Sequence, residues 1–251
     1  MEKITAEKIR KSLSAKVVGR EIFCYDIVKS TNLTAKEQAD FPEGSVFTAE
    51  AQTAGRGRLS RSWCSEEGAG IYMSILLKPQ IDVGAVSCLT LLGGLAVCRA
   101  VSGTGIKWPN DVTVEDKKLC GILTERLTTG EVVVGIGVNV NNSAFPDEIA
   151  EIATSLYMEE GKRYDRCEVI TKILNELDAL YAEFLKGGFS AVREEYIKHC
   201  VTLGRKIRVI TPTGEYNAEA VGIAENGGLE IMRGGKTEVI TSGEVSVRKY
   251  E

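Results

Sequence analysis

The chain changes rhythm once, near residue 200, and that change limits what it can fold into. Before it stands the clearest helix in the sequence, Asp165 to Lys186. Val169, Ile170, Ile173, Leu174, Leu177, Leu180, Tyr181, Phe184 and Leu185 fall on one face of it at helical spacing. Asp165 followed by Glu168 resembles a capping box, and Gly187-Gly188 ends the run. A shorter helix is expected over 190–198. From Leu203 to Arg248 the helical period gives way to five short β-like runs, separated by Pro212-Thr213-Gly214, Asn226-Gly227-Gly228, Gly234-Gly235 and Ser242-Gly243. This is the cadence of a small β-barrel. The sequence therefore predicts two domains, 1–200 and 201–251.

The first of these mixes helices and strands. A short helix is expected over 5–14 with Thr5 as its cap, and strands over 21–28, 46–51 and 71–77. A mostly apolar helix is expected over 84–102. Residues 119–125 and 131–139 read as a hairpin around Thr128-Thr129-Gly130. Ser30-Thr31-Asn32 would open a helix, as small polar residues able to accept from its free N–H groups. The net charge of -4 gives no bulk attraction to nucleic acid or to an anionic membrane. The longest apolar run, Leu89 to Val101, is too short to cross a bilayer and is broken by Gly93, Gly94 and Arg99. Seven cysteines, an odd number with no CxxC pair, fit reduced thiols in the cytoplasm. The single His199 excludes a His-rich metal site.

Three segments have compositions that packing alone does not call for. In Ala49 to Trp63, glycines let the backbone approach a ligand, Arg56, Arg58 and Arg61 offer permanently charged donors, and Trp63 offers a flat apolar surface. Such a loop suits an anion; it also suits a solvated surface or a weak RNA contact. Lys107-Trp108-Pro109-Asn110-Asp111 is a turn by its Pro and Asn content, and Lys118 opens the apolar strand that follows. In Val132 to Asn141, Gly135 and Gly137 alternate along a strand, which makes a flat wall for a ring or allows tight sheet packing. Gly234-Gly235-Lys236-Thr237 ends like a P-loop, but Glu230 stands where its first glycine would be, so a hairpin turn is expected.

These segments, in this order behind Ser30-Thr31-Asn32, resemble the biotin protein ligases. The Gly-Arg-Gly-Arg loop, the Lys-Trp-Pro-Asn-Asp turn, the Lys-Leu-x-Gly-Ile-Leu and Gly-Ile-Gly-Val-Asn strands and the Ser-Gly-Glu-Val-Ser-Val-Arg ending carry the resemblance, over roughly residues 20 to 248. It implies an α+β fold: a mixed sheet with helices packed on one face, like the class II aminoacyl-tRNA synthetases, followed by an SH3-like barrel. It implies ATP-dependent conversion of biotin to biotinyl-5′-AMP and transfer to a lysine of a biotin carboxyl carrier domain. By resemblance, Ser30, Thr31 and Gln52 would bind the ureido ring, and Gly55, Arg56, Gly121 and Gly135 would line the same pocket. Arg58 and Lys118 would sit at the biotin carboxylate and the α-phosphate as the catalytic pair. Arg61, Trp63, Asn110 and Asn139 would face the adenylate, with Arg248 and Arg208 of the barrel near the nucleotide. Mg²⁺ would be carried by ATP, with no metal site in the protein. A homodimer is expected, because family members with exposed sheet edges often dimerise.

The repressor members of the family carry a helix-turn-helix domain ahead of the catalytic part. Here the match begins near residue 20, so no operator binding is expected. Lipoate ligases and octanoyltransferases share the catalytic fold but carry a different Arg-Arg and Gly-Gly-Gly signature, with a nearby His-Asp that this chain lacks. Octanoyltransferases also use a nucleophilic cysteine. Cys120 follows Lys118 by two positions, but on a strand it is expected to pack as a small apolar side chain.

Overall fold

The computed structural model describes residues 2–211, 214–241 and 244–247. Helix α1 (Ala6–Arg10) is capped by Thr5, whose hydroxyl accepts from the Lys8 N–H. Strand β1 (Ile22–Val28), helix α2 (Thr31–Glu37), and strands β2 (Val46–Gln52) and β3 (Ile71–Leu77) follow. Helix α3 (Val86–Ala100) leads to strands β4 (Gly105–Lys107) and β5 (Asp111–Val114), then to the long pair β6 (Lys117–Arg126) and β7 (Val132–Val138). Short helices α4 (Asp147–Ala150) and α5 (Leu156–Glu160) precede α6 (Arg166–Gly187) and α7 (Ser190–His199). The seven strands form one sheet in the order β1-β2-β3-β7-β6-β5-β4. Only the β1–β2 pair is parallel, so the sheet is mixed.

Because side chains alternate across a strand, the two faces of this sheet differ. Ile71, Met73, Ile75 and Leu77 of β3 and Val132, Val134, Ile136 and Val138 of β7 are buried on one face, in a core shared with α3 and α6. Helix α3 has no polar stripe because the sheet and α6 cover it. By length and composition Val83–Ala100 could cross a membrane, but Cys88 to Cys98 are mostly buried inside the protein. Asp165 caps α6 by accepting from the Cys167 N–H at 2.8 Å. Arg166, in its first turn, is buried, and its guanidinium meets the Glu50 carboxylate at 2.8 Å and the Gly70 and Glu2 carbonyls. Glu50 also accepts from the Ile4 N–H at 2.6 Å. The opposite face carries a small cluster, Ala35 of α2 against Phe47, Leu76 and Val133. The rest of that face holds the candidate site.

One irregularity decides what stands there. Val112 pairs with Cys120 but Thr113 pairs with Lys118, so β6 holds one extra residue, Leu119, at a β-bulge. Leu119 and Cys120 are both fully buried, while Lys118 and Gly121 lie together on the open side.

The C-terminal domain is a five-stranded antiparallel sheet, ordered β11-β10-β9-β8-β12, and its fold fits an SH3-like barrel. Its strands are β8 (Lys206–Thr211), β9 (Gly214–Ile223), β10 (Leu229–Arg233), β11 (Lys236–Ile240) and β12 (Glu244–Val247). Gly234 and Gly235, at φ 56 and 78, make the tight turn between β10 and β11, as the sequence led one to expect. The domain is held to the first by the Trp108 indole, which donates to the Gly227 carbonyl at 3.0 Å, and by Arg193, which donates to the Ile223 carbonyl at 2.6 Å.

Candidate active site

The site is built where side chains are missing. Gly121 and Gly137 face each other across β6 and β7, and Gly135 lies one step further along the same face, opposite Ser74 and Leu123. The Trp63 indole lies flat on this bare patch. A Cβ on Gly137 would come within 2.6 Å of the ring, and one on Gly121 within 2.8 Å. Of the alternating glycines read from the sequence as a flat wall, Gly137 does carry a ring, together with Gly121 of the neighbouring strand, whereas Gly135 faces the Asn32 amide. Among the described residues Trp63 Nε1 is buried and meets no acceptor.

The arginine-bearing loop reaches this patch as a small hairpin. Arg56 and Ser62 form a bridge, Gly57 N–H donates to the Arg61 carbonyl at 2.7 Å, and Trp63 N–H donates to the Gly55 carbonyl at 3.0 Å. Leu59 sits at its tip with φ 54 and is exposed. Arg58 turns inward and donates to Asn110 Oδ1 at 2.9 Å. From the other side comes Lys118, 2.7 Å from the Asp111 carboxylate and 5.4 Å from the centre of the Trp63 ring. The bulge is what brings its ammonium here, since plain alternation would have sent Lys118 into the core beside Cys120.

Two adjoining cavities meet at these cations. The smaller, about 50 Å³, runs between α2, β2 and the glycine patch, and its lining includes Ser30, Thr31, Asn32, Gln52 and Gly135. The larger, about 510 Å³, lies between the arginine loop, the 107–111 turn and the segment 145–153, with Phe145, Ile149 and Ile152 on its apolar side. Arg58, Trp63, Asn110 and Lys118 line both.

The end of the smaller cavity is a network of small polar groups. Gln52 Oε1 accepts from the Thr31 N–H at 2.9 Å, and its Nε2 donates to Ser65 Oγ at 2.9 Å. Ser74 Oγ stands 2.8 Å from Thr31 Oγ1 and 2.6 Å from Asn32 Oδ1. Asn32 Nδ2 donates to the Leu123 carbonyl and to Glu125, which also receives Lys36 at 2.5 Å. Burial works to raise the Glu125 pKa, but the hydrogen bonds from Lys36 and Asn32 outweigh it and hold the carboxyl below the ordinary glutamate value.

Most of the residues singled out from the sequence converge here, in positions that differ in detail. Ser30 stands at the start of α2, but its hydroxyl makes no capping bond; Gln52, from the neighbouring strand, supplies the acceptor instead. Gly55 lines neither cavity. It is packed behind the loop, where a Cβ would fall 2.6 Å from the Trp63 carbonyl and 2.9 Å from Ser65 Oγ. Arg56 lines the smaller cavity but is exposed, and Arg61 lines the larger. Asn139 also lines the larger cavity, yet its Nδ2 is committed to the Thr154 and Lys118 carbonyls and ties β7 to the segment before α5. Arg208 lies on β8, pairs with Glu215 across the strand at 3.4 Å and lines neither cavity. Arg248 is outside the described residues. Cys120 is wholly buried on the core side and burial pushes its thiol well above the ordinary pKa, so it packs as an apolar side chain and is no nucleophile. The sequence reading missed Ser74, Glu125 and Lys36, and took Asn32 only as a helix opener. The available signal was Ser74, the one small polar side chain in the bulky, mostly apolar run Ile71–Leu77.

Residues 24–141 match the model of the biotin/lipoate A/B protein ligase family, and residues 202–248 match that of the biotin protein ligase C-terminal domain. The chain is 38% identical to the bifunctional ligase/repressor BirA of Bacillus subtilis, over 90% of this chain and 74% of that protein. It is 35% identical to the biotin–[acetyl-CoA-carboxylase] ligase of Mycobacterium tuberculosis, over 88% of this chain and 87% of that one. Among solved structures, the biotin protein ligase of Aquifex aeolicus in complex with biotin and ATP superposes with a TM-score of 0.83 at 35% identity, covering 92% of this chain and 100% of that one. With both domains matched and the glycine floor, arginine loop and Lys118 assembled in one cleft, the chain belongs to the biotin protein ligase family.

Proposed function

We propose that this chain activates biotin with ATP and passes the biotinyl group to a lysine of a biotin carboxyl carrier domain. A biotin carboxylate oxygen attacks the α-phosphorus of ATP, the bond to the β-phosphate oxygen breaks, and pyrophosphate leaves behind biotinyl-5′-AMP. The acceptor amine then attacks the acyl carbon, AMP departs with the bonding pair of the acyl C–O bond, and the amine proton is lost.

The observation that carries this reading is the convergence of Arg58 and Lys118 where the two cavities meet. Both reactants are anions, so their encounter requires fixed positive charge at the point where carboxylate and α-phosphate touch. A guanidinium and an ammonium oriented beforehand supply it without reorganisation at the moment of reaction. The polar end of the smaller cavity suits the ureido ring, and the larger cavity, with Phe145 and Ile149 on its wall, suits the nucleotide. Holding both in one cleft makes their meeting nearly unimolecular. The Trp63 loop shields the mixed anhydride from water. Mg²⁺ enters as the counter-ion of the ATP polyphosphate, and the protein's own contribution to charge is that of Arg58 and Lys118. Seven unpaired thiols favour the reducing cytoplasm, and the edge strand β1, with Ile27 exposed, offers a surface for a homodimer.

The test is incubation with biotin, α-labelled ATP and a purified carrier domain. Labelled biotinyl-AMP and an avidin-reactive carrier are expected, and lipoate is not expected to replace biotin. Lys118→Ala should slow adenylate formation by about 10²–10³-fold, the cost of removing one preorganised electrostatic group. Adenylate formation by that variant at the wild-type rate would remove Lys118 from its role, and labelling of the carrier with lipoate in preference to biotin would overturn the substrate assignment.

A further inference from the structure

One set of buried groups takes no part in joining biotin to ATP, yet it governs what the smaller cavity displays. Thr31, Asn32 and Ser74 are buried, so each of their polar atoms needs a partner. The chain they form has a direction, which can be worked out from its far end. Glu125 accepts from Lys36 at 2.5 Å and from Asn32 Nδ2 at 2.8 Å. A carboxylate only accepts, and so does the Leu123 carbonyl, 3.2 Å from the same nitrogen. The Asn32 amide is therefore turned with its NH₂ toward β6 and its Oδ1 toward Ser74. Oδ1 has no hydrogen to give, so the Ser74 hydroxyl donates to it across 2.6 Å. Ser74 then has only lone pairs left for Thr31 Oγ1 at 2.8 Å, and the Thr31 hydroxyl donates to Ser74. Gln52 Oε1, 3.3 Å from that hydroxyl, takes the Thr31 N–H instead at 2.9 Å. Every hydrogen in the chain runs toward Glu125, and Thr31 and Asn32 are left with lone pairs for the cavity they line.

We infer that Glu125, backed by Lys36, is a positioning residue that fixes the direction of the Asn32–Ser74–Thr31 chain and thereby selects a ligand carrying N–H donors, such as the ring nitrogens of a cyclic urea. This rests on assigning the smaller cavity to the ureido ring of biotin. A glutamine in place of Glu125 brings a donor of its own, which can serve Asn32 Oδ1. The chain can then run the other way, with only the Leu123 carbonyl opposing, and the cavity displays hydrogens where it displayed lone pairs.

The experiment compares wild type, Glu125→Gln and Glu125→Ala in calorimetric titrations. Two ligands are used: biotin, and its cyclic carbamate analogue, in which oxygen replaces one ring N–H. Wild type should prefer biotin. Both variants should bind biotin about tenfold or more weakly, the scale of one charge-assisted hydrogen bond. Their preference for biotin over the carbamate should shrink by a similar factor, and the KM for ATP should stay as in wild type. If both ligands weaken equally, Glu125 is only structural and the inference fails; it also fails if biotin affinity is unchanged. A wild-type protein that binds no biotin would instead defeat the assignment of the pocket itself, and the inference with it.

Discussion

Replacing Gly135 with alanine tests the geometry of the smaller cavity directly. A Cβ built on Gly135 would fall 2.1 Å from Asn32 Oδ1 and 2.9 Å from Asn32 Cγ. Neither distance is tolerable, so Asn32 must move by more than an ångström or β7 must shift. Asn32 cannot move cheaply: its Oδ1 is held by Ser74 at 2.6 Å and its Nδ2 by Glu125 at 2.8 Å, with the Leu123 carbonyl at 3.2 Å. Overpacking of this kind costs about 1–3 kcal/mol in stability. Displacing Asn32 also takes away an acceptor worth about 1 kcal/mol to the ligand. The added methyl group protrudes into a cavity of only about 50 Å³. The lost acceptor and the intruding methyl group together should lower biotin affinity by about tenfold, since about 1.4 kcal/mol corresponds to a factor of ten, while the overpacking cost is read in the unfolding midpoint. The measurement is a biotin titration by calorimetry, paired with thermal unfolding of the free protein. Gly84→Ala serves as the control, because a Cβ there meets nothing within 4 Å, and it should leave both readings near wild type. Biotin affinity within twofold of wild type for Gly135→Ala, with an unchanged unfolding midpoint, would refute the placement of Asn32 against the strand.

Arg58→Gly removes the guanidinium that reaches Asn110 and should release biotinyl-AMP faster, as followed by loss of labelled intermediate on filtration; unchanged release would take Arg58 out of the site. Arg166→Met strands the Glu50 carboxylate in the interior and should cost about 3–5 kcal/mol in denaturant unfolding, whereas adding Glu50→Leu should recover much of that loss, because the uncompensated charge is gone. The pKa of Glu125 is lowered on folding, so its ionised form stabilises the protein above the unfolded value and that contribution is lost as pH falls through the folded one. Wild type should therefore lose its stability advantage over Glu125→Gln as pH drops from about 7 to below the ordinary glutamate value of about 4.3, read from unfolding midpoints at each pH; a pH-independent difference would show that folding leaves the Glu125 carboxyl unshifted, and an advantage that grows toward low pH would show it raised.

The elements were legible where one period runs long enough to be seen. Helix α6 carries an apolar stripe over many turns, and Ile71–Leu77 is apolar but for Ser74, so both were placed within a residue of their observed bounds. Helices α4 and α5, of four and five residues, gave no period to detect, and strands β4 and β5 looked like flanks of the Trp108-Pro109 turn. Among site residues, the ordered motifs put Arg58, Trp63, Asn110, Lys118, Gly121 and Gly135 on the cavity walls, but not Gly55. Lys36, Ser74 and Glu125 were missed, because each is an isolated polar residue whose partners lie 42 to 93 positions away in the chain.

The family, the change near residue 200 to a run of short strands and the cationic loop could be taken from the sequence because they rest on local composition and on the order of short motifs. The face on which Lys118 emerges could not. Motif order put Lys118 in the site, but plain strand alternation would turn it toward the core with Cys120, and it is the extra residue Leu119, accommodated once β6 pairs with β5, that turns it to the open side next to Gly121. The sense of the hydrogen bonds from Glu125 to Thr31 likewise exists only in the folded chain. A hydroxyl or an amide can be read as donor or acceptor, and it is the fixed acceptors packed beside it that remove the choice.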